Sequence, residues 1–404
     1  MPKANEVIEL EGHLIDAGLL SKALDRVVEG EGEFEILDFK IGMRRDETSK
    51  ARVKISAKNR QALAPILEKI VDLGGRKIEE RRASLAACPK DGCAPENFYS
   101  TTNHRTFVLL GDKRVEVKNQ RMDGVLVVKD EEVVCAKLRD VQKGDLVVVG
   151  HDGIVIERDM PIGEHAAFGF MENTVSSERR VELAVKELAL DLRERNSRGE
   201  KIAVVAGPVV VHTGGTDGLC ALIREGYVNV LLAGTALAVH DIEYALFGTS
   251  LGMDLRKGVP TREGHKNHMR AINKIRLEGG IEAAVRSGAL TSGIFYECAK
   301  HQVPYVLAGS IRDDGPLHET EMDLIRAQEA YAQALADVSL VIMLASMLHG
   351  IGVGNMLPSW VRTVCVDINP AVVTKLADRG TSQVAGLVTD VGLFLTLLAR
   401  ELTA

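Results

Sequence analysis

The chain has 404 residues, of which 46% are apolar and 4% aromatic, and a formal net charge of −7. That length exceeds the ~250–300 residues one core supports, so two or three domains with aliphatic cores are expected. The acidic balance speaks against a nucleic-acid partner, which favours a basic face.

The start, MPKANEVIELEGHLID, has no apolar signal core, and no run approaches the ~20 apolar residues of a membrane span. A cytoplasmic chain without a membrane partner is expected. Six cysteines, at 88, 93, 135, 220, 298 and 365, are scattered without disulfide-scaffold spacing, which suits a reducing compartment. Cys88 and Cys93 make the one close pair; with only His104 within reach, a loop with two thiols is favoured over a metal site.

Residues 6–75 read as strand, helix, strand, strand, helix. The helix in DAGLLSKALDRVVEG sets Leu19, Leu20, Ala23, Leu24 and Val27 on one face. FEILDFKIGM and ARVKISA are strands, and a helix from Arg60 to Leu73 stops at Gly74-Gly75. With a further strand near Lys77–Arg82 this is the ferredoxin-like α+β order, expected over residues 1–87 in a structural or assembly role. Residues 88–175 form a β-rich domain and connector: TFVLL, RVEVKN, GVLVVKD, EVVCAKL, DLVVVG and GIVIER are short strands between Gly- and Asp-containing turns. The polar segment PENFYSTTNHRT is read as a surface loop, and Ser177 as the cap of a helix running to Arg195.

From 176 to 404 strands and helices alternate, which predicts a Rossmann-like, doubly wound, mostly parallel α/β sheet. KIAVVAGPVVV reads as a strand-rich run through Val211, and a long helix is expected from Glu319 to Ala336. Within Ser339–Pro370 two apolar runs flank a small-residue turn containing Gly350, Gly352 and Gly354, and the second run ends on Asp367. Glycines let backbone approach a pyrophosphate, and a strand-end carboxylate accepts ribose hydroxyls. The space left after Gly354 looks too short for a full crossover helix. A tight connection between buried strands is the competing reading of these glycines.

Ligands of such sheets sit beyond the carboxyl ends of the strands. Polar residues recur there: His212–Gly215, Thr235-Ala236, Arg312-Asp313-Asp314, Ser346–His349, Asp367 and Thr389-Asp390. Singly each is a cap or turn residue; together they favour a cleft for a polar ligand. Arg312 suits a carboxylate, and His240 with Asp241 suits proton transfer, although adjacent helical residues do not face each other. His265 and His268 share a helix face, read as a solvated or subunit-facing patch. Cys298 reads as a buried, inert thiol.

AGPVVVHTGG, LLAGTALAVHDIEYALFGTSLGMDL, GHKNHMRAIN, LAGSIRDDGPL, MLHGIGVGNMLPS and VCVDINPAVVTKLADRG carry a resemblance that spans the chain. They resemble the archaeal-type ornithine cyclodeaminase family, which also forms the C-terminal part of bacterial bifunctional arginine dihydrolase/ornithine cyclodeaminases. The front half resembles the conserved region of lysine-ketoglutarate reductase/saccharopine dehydrogenase. The dihydrolase portion has no counterpart here, which implies one activity. The resemblance further implies a nucleotide domain similar to deoxyhypusine synthase, binding NAD without the usual glycine fingerprint.

Carried onto this chain, the implied NAD pocket comprises Thr235, Ala236, Asp314, Ser346, Met347, Leu348, His349, Asp367, Asp390 and Val391. Two positions depart from the family pattern: Asn is usual where Thr235 stands, and Thr where Ser346 stands. The implied reaction is conversion of L-ornithine to L-proline and ammonia. Hydride leaves Cα, the δ-amine closes on the imine, ammonia departs, and the cyclic imine regains the hydride. Arg312 is expected on the substrate carboxylate, with His240 or Asp241 near the amines, no metal, and a homo-oligomeric assembly. An NAD- or amino-acid-sensing protein without catalysis, and a simple amino-acid dehydrogenase, are the alternatives.

Overall fold

The computed structural model describes residues 4–12, 14, 18–40, 49–77, 82–111, 113–157, 181–255, 257–261, 264–311, 317–378 and 384–403. The chain divides into two units, residues 1–169 with 357–360 and residues 170–356 with 361–404.

The first unit begins with β1 (Ala4–Gly12), α1 (Leu19–Glu29), β2 (Glu33–Lys40), β3 (Ser49–Ala57), α2 (Arg60–Asp72) and β4 (Arg76–Lys77). The sheet order β2-β3-β1-β4, antiparallel throughout, is the ferredoxin-like arrangement. Alternation along β3 buries every second residue, and Leu19, Ala23 and Val27 bring the apolar stripe of α1 against that face. Asn59 caps α2 by accepting the Ala62 N–H at 2.8 Å. Val71, the last residue but one of α2, lies in a second core with Tyr99, Val108 and Leu126.

That core belongs to a seven-stranded sheet built from β5 (Ser84–Ala87), β6 (Arg105–Leu110), β7 (Lys113–Lys118), β8 (Gly124–Lys129), β9 (Glu132–Lys137), β10 (Leu146–Val149) and β11 (Ile154–Glu157), in the order β11-β6-β7-β9-β8-β10-β5. PENFYSTTNHRT, expected as a surface loop, is pinned instead: Thr101, Asn103 and Thr106 are buried, and the Ser359 N–H donates to Asn103 O at 2.8 Å.

The second unit runs α3 (Val181–Ser197), β12 (Lys201–Ala206), α4 (Val209–His212), α5 (Thr216–Arg224), β13 (Val230–Gly234), α6 (Thr235–Phe247), β14 (Thr249–Ser250), β15 (Met253–Asp254) and β16 (Val259–Pro260). It continues with α7 (Asn267–Glu278), α8 (Ile281–Ser287), α9 (Ile294–Lys300), β17 (Tyr305–Ala308), β18 (Thr320–Glu321) and α10 (Leu324–Ala334). Last come β19 (Val338–Leu344), α11 (Met347–Met356), β20 (Arg362–Asp367), α12 (Pro370–Asp378), β21 (Val384–Val388) and α13 (Val391–Thr403). The seven strands β18-β17-β13-β12-β19-β20-β21 pair in parallel, the order of a Rossmann sheet with one added edge strand. Their fully buried Val, Ile, Leu and Ala runs are what a sheet covered on both faces requires.

Three local expectations change. The run expected as strand through Val211 ends at Ala206, because Gly207 turns its N–H to Leu344 O and Pro208, at φ −63°, starts the short helix α4. The glycines expected in a turn lie inside α11, whose first turn forms directly after Ser346, with Gly350 N–H on Ser346 O at 2.8 Å. A Cβ at Gly350 would make ordinary van der Waals contact with the Met343 sulfur at 3.4 Å and Leu376 at 3.6 Å, so the space around it does not demand a glycine. The helix expected from Glu319 begins at Leu324, capped by the Asp323 carboxylate, because Thr320–Glu321 pairs with β17 instead.

Candidate functional site

From β12 the sheet grows outward through β13 and β17, then the chain returns to β19 and grows the other way through β20 and β21. The reversal between β12 and β19 is a topological switch point, where crossovers diverge and open a crevice at the carboxyl ends. Gly207 lies at its edge. Its N–H donates to Leu344 O at 2.9 Å. A Cβ there would stand 2.1 Å from Ala345 O, so only glycine permits this approach. Ala345 turns the chain from β19 into α11 at φ 44°, a strained value for a residue with a Cβ.

Of the residues expected around NAD, Thr235 and Ala236 open α6 beyond β13, and Ser346 to His349 form the start of α11 beyond β19. The structure brings these two groups together. A Cβ on Gly234 would meet His349 Cε1 at 2.8 Å, so the imidazole spans to the start of α6. Ser346 Oγ and His349 Nδ1 are 3.1 Å apart, and burial lowers the His349 pKa, keeping the ring neutral. The Thr235 and Thr320 hydroxyls are 3.0 Å apart. Tyr331, a residue the sequence did not single out, donates from its hydroxyl to Ala233 O at 2.7 Å.

Asp367 ends β20 and is 8% exposed. Its Oδ1 accepts the Asn369 N–H at 2.8 Å, and the Asn369 side chain accepts the Ala371 N–H at 3.0 Å. Capping of α12 thus falls to Asn369, and among the described residues no partner occupies the second Asp367 oxygen. Asp390 accepts the Leu393 N–H at 2.8 Å as the cap of α13, and Val391 is buried at that helix's first position. Arg312, Asp313 and Asp314 lie outside the described residues.

These groups fit a dinucleotide. The amino end of α11 offers first-turn N–H groups, which an α-helix leaves without intrahelical partners, and the positive end of a helix dipole for a pyrophosphate. Asp367 follows that end by about twenty residues, the usual interval from phosphate turn to ribose carboxylate. Leu348 at 74% and Ile368 at 69% exposure are apolar side chains left uncovered immediately beside them.

The expected acid–base pair does not form as written. Asp241 is fully buried, and its two oxygens accept the N–H groups of Ile294 and Phe295 at 2.9 and 3.0 Å, capping α9. Burial pushes its pKa up to about 7 against the pull of those donors. A place beside substrate amines does not fit this position. His240 pairs instead with Glu243, Nδ1 to Oε2 at 3.1 Å, and its ring lies 4.9 Å from that of His212. Sequence reasoning missed Glu243, although its i+3 spacing from His240 put both on one helix face.

A Rossmann sheet with a helix amino end and a strand-end acid at its switch point defines a dinucleotide-type α/β protein. The family model described as arginine dihydrolase ArgZ-like, C-terminal, Rossmann fold matches residues 186–398. Its first-region counterpart matches 105–185, and the LOR/SDH bifunctional enzyme conserved region matches 5–104. The chain belongs to this ArgZ-like C-terminal family.

It is 47% identical to a Methanopyrus kandleri protein named ornithine cyclodeaminase, over 100% of this chain and 98% of that one. It is also similar to the apo crystal structure of ArgZ, an arginine dihydrolase from the ornithine-ammonia cycle in cyanobacteria. There the TM-score is 0.85 and the identity 46%, covering 99% of this chain and 58% of that one. The crystal structure of the ternary complex of AgrE with ornithine and NAD+ matches with a TM-score of 0.55 and 48% identity, again over 99% and 58%. The chain therefore spans 58% of the length of the bifunctional relatives it matches.

Proposed function

We propose that the chain is an NAD-dependent ornithine cyclodeaminase, converting L-ornithine to L-proline and ammonia, with residues 176–404 as the catalytic part. The observation that carries this reading is similarity to the Methanopyrus kandleri ornithine cyclodeaminase over nearly both whole chains, coinciding with a switch point built for a dinucleotide. The ternary complex of AgrE with ornithine and NAD+, a relative 48% identical, supports the choice of both ligands.

The amino end of α11, from Ser346 to His349, would hold the pyrophosphate, Asp367 the adenosine ribose, and Thr235 with Ala236 the facing side of the crevice. NAD supplies the acceptor that takes hydride from the substrate carbon and returns it, so no net oxidation accumulates. His240 takes the proton of the substrate ammonium, without which the nitrogen lone pair cannot assist hydride loss. Arg312 is assigned to the substrate carboxylate by residue type and strand-end position alone.

No helix among the described residues is long and apolar enough to cross a membrane. The free cysteines support a place in the cytoplasm, where thiols stay reduced. Identical subunits are proposed to assemble, supported by Phe34, Ile36 and Leu37 exposed on the edge strand β2.

Incubation with L-ornithine and a catalytic quantity of NAD tests the activity. Proline and ammonia forming without accumulated NADH is the expected outcome. Stoichiometric NADH would mean a dehydrogenase, and binding without turnover a sensor.

A further inference from the structure

A cluster around Glu243 is left over once the dinucleotide groups are assigned. Glu243 is fully buried on α6, yet its carboxylate accepts four hydrogen bonds: His240 Nδ1 at 3.1 Å, Thr249 Oγ1 at 2.9 Å, and the N–H groups of Leu251 and Gly252 at 3.2 Å each. Burial alone would raise this carboxyl, but the bonds from His240, Thr249 and Gly252 prevail and hold it below its ordinary value. The directions of these bonds are set from outside. Arg270, stacked 4.4 Å over Phe247, donates to Asn267 Oδ1 at 3.1 Å. That orients the Asn267 amide to donate to Thr249 Oγ1 at 2.9 Å, which leaves the hydroxyl proton for Glu243.

An ionised carboxylate can only accept, so His240 carries hydrogen on Nδ1 and offers Nε2, for which no partner occurs among the described residues. The second histidine comes from α4. His212 shares a 2.7 Å hydrogen bond with Ser250 Oγ, and its ring meets that of His240 edge to face at 4.9 Å. Burial lowers the His212 pKa, His240 lowers it further, and Glu243 opposes both.

We propose that Glu243 is the positioning residue of the proton-transfer apparatus, holding His240 as an Nε2 base, and that His212 limits the histidine pair to one proton. The inference rests on the reading of His240 as the base. In the step concerned, an N–H bond of the substrate ammonium breaks and its proton passes to His240 Nε2. The products are a neutral amine and an imidazolium whose Nδ1–H points at Glu243. A charged His240 then disfavours charge on His212, so the proton stays where it can be returned.

Among the described residues, the helix of His240 contributes Glu243 to its surroundings and α4 contributes His212. β14 and the turn after it bring the hydroxyls of Ser250 and Thr249 and backbone N–H groups. α7 contributes Arg270 through Asn267. α9 holds Asp241 by its amino end, and its Glu297 pairs with Arg224 and His301.

The test is the tautomer of His240 in the full chain, read from its imidazole nitrogen NMR signals, which needs no substrate. Wild type is expected to carry hydrogen on Nδ1 and none on Nε2, and Glu243→Gln to show a mixture of tautomers, because an amide can donate as well as accept. The kcat for proline formation should fall in that variant with NAD affinity unchanged, and Glu243→Asp, which keeps an acceptor, should restore part of it. His240→Asn is expected to raise the His212 pKa, because the neighbour that lowers it is gone. If Glu243→Gln does not fold, the wild-type tautomer and the His212 shift still test the inference. Hydrogen on Nε2 in wild type, a tautomer that Glu243→Gln leaves unchanged, or a His212 titration indifferent to His240 overturns it. Wild-type enzyme that makes no proline overturns the ornithine reading instead, and the NMR result then stands by itself.

Discussion

Asp367 has two oxygens and the structure accounts for one. Asn369 N–H takes Oδ1, while Asn369 rather than Asp367 caps α12. A carboxylate so placed at the end of β20 suits two vicinal ribose hydroxyls and repels a 2′-phosphate, and Asp367-Ile368-Asn369-Pro370 offers no cation to offset the repulsion. Asp367→Ala removes a charge-assisted bond worth about 1.5–3 kcal/mol, or roughly ten- to a hundredfold in NAD affinity. Calorimetric titration should show that loss for NAD and a narrowed gap to NADP. Wild-type affinity in the variant would remove Asp367 from the ribose site.

Helix α6 divides its labour by angle. Successive residues diverge by about 100°, so His240 and Glu243 face the cluster with His212 while Asp241 reaches the amino end of α9. Asp241→Ala strands two buried N–H groups and removes a cap, an expected loss of about 1–3 kcal/mol in thermal or denaturant unfolding. The sign with pH is distinctive. The folded pKa, about 7, lies above the unfolded carboxylate's 3.8, so the side chain's contribution is full below 3.8 and declines as pH rises through 7. The difference between wild type and Asp241→Ala should therefore shrink from pH 5 to pH 8. A difference that grows over that range would contradict the desolvated carboxyl.

For the molecule as a whole, the proposed reaction asks for a hydride acceptor and mobile protons, and cyclisation through nitrogen needs no Lewis acid. Among the described residues no group of three or more His, Cys, Asp or Glu side chains converges as a metal site would. Turnover of ornithine is expected to survive chelation with EDTA; loss of activity restored by zinc would count against the scheme. The ferredoxin-like sheet and the seven-stranded β sheet share one unit, and the Rossmann sheet forms the other.

Hydrophobic periodicity was enough to place the ferredoxin-like order and the alternating strands and helices, because a buried strand and an amphipathic helix impose periods of two and 3.6 on their own residues. The strand-end position of Asp367 was likewise legible, since an apolar run that stops on an acid marks its own end. Glycine was the misleading signal. Gly350, Gly352 and Gly354 read as a turn, but the chain turns earlier, at Ala345, and the helix that follows takes in all three glycines. Gly207, which closes the switch point, was hidden inside a run read as strand. The partnership of Glu243 with His240 lay within one helix and was readable in principle. Its meaning depends on His212, Thr249 and Asn267, which come from three other elements. A chain determines by itself the features its neighbours in sequence can satisfy, and these polar groups found their partners only when the tertiary fold brought distant segments within hydrogen-bonding distance.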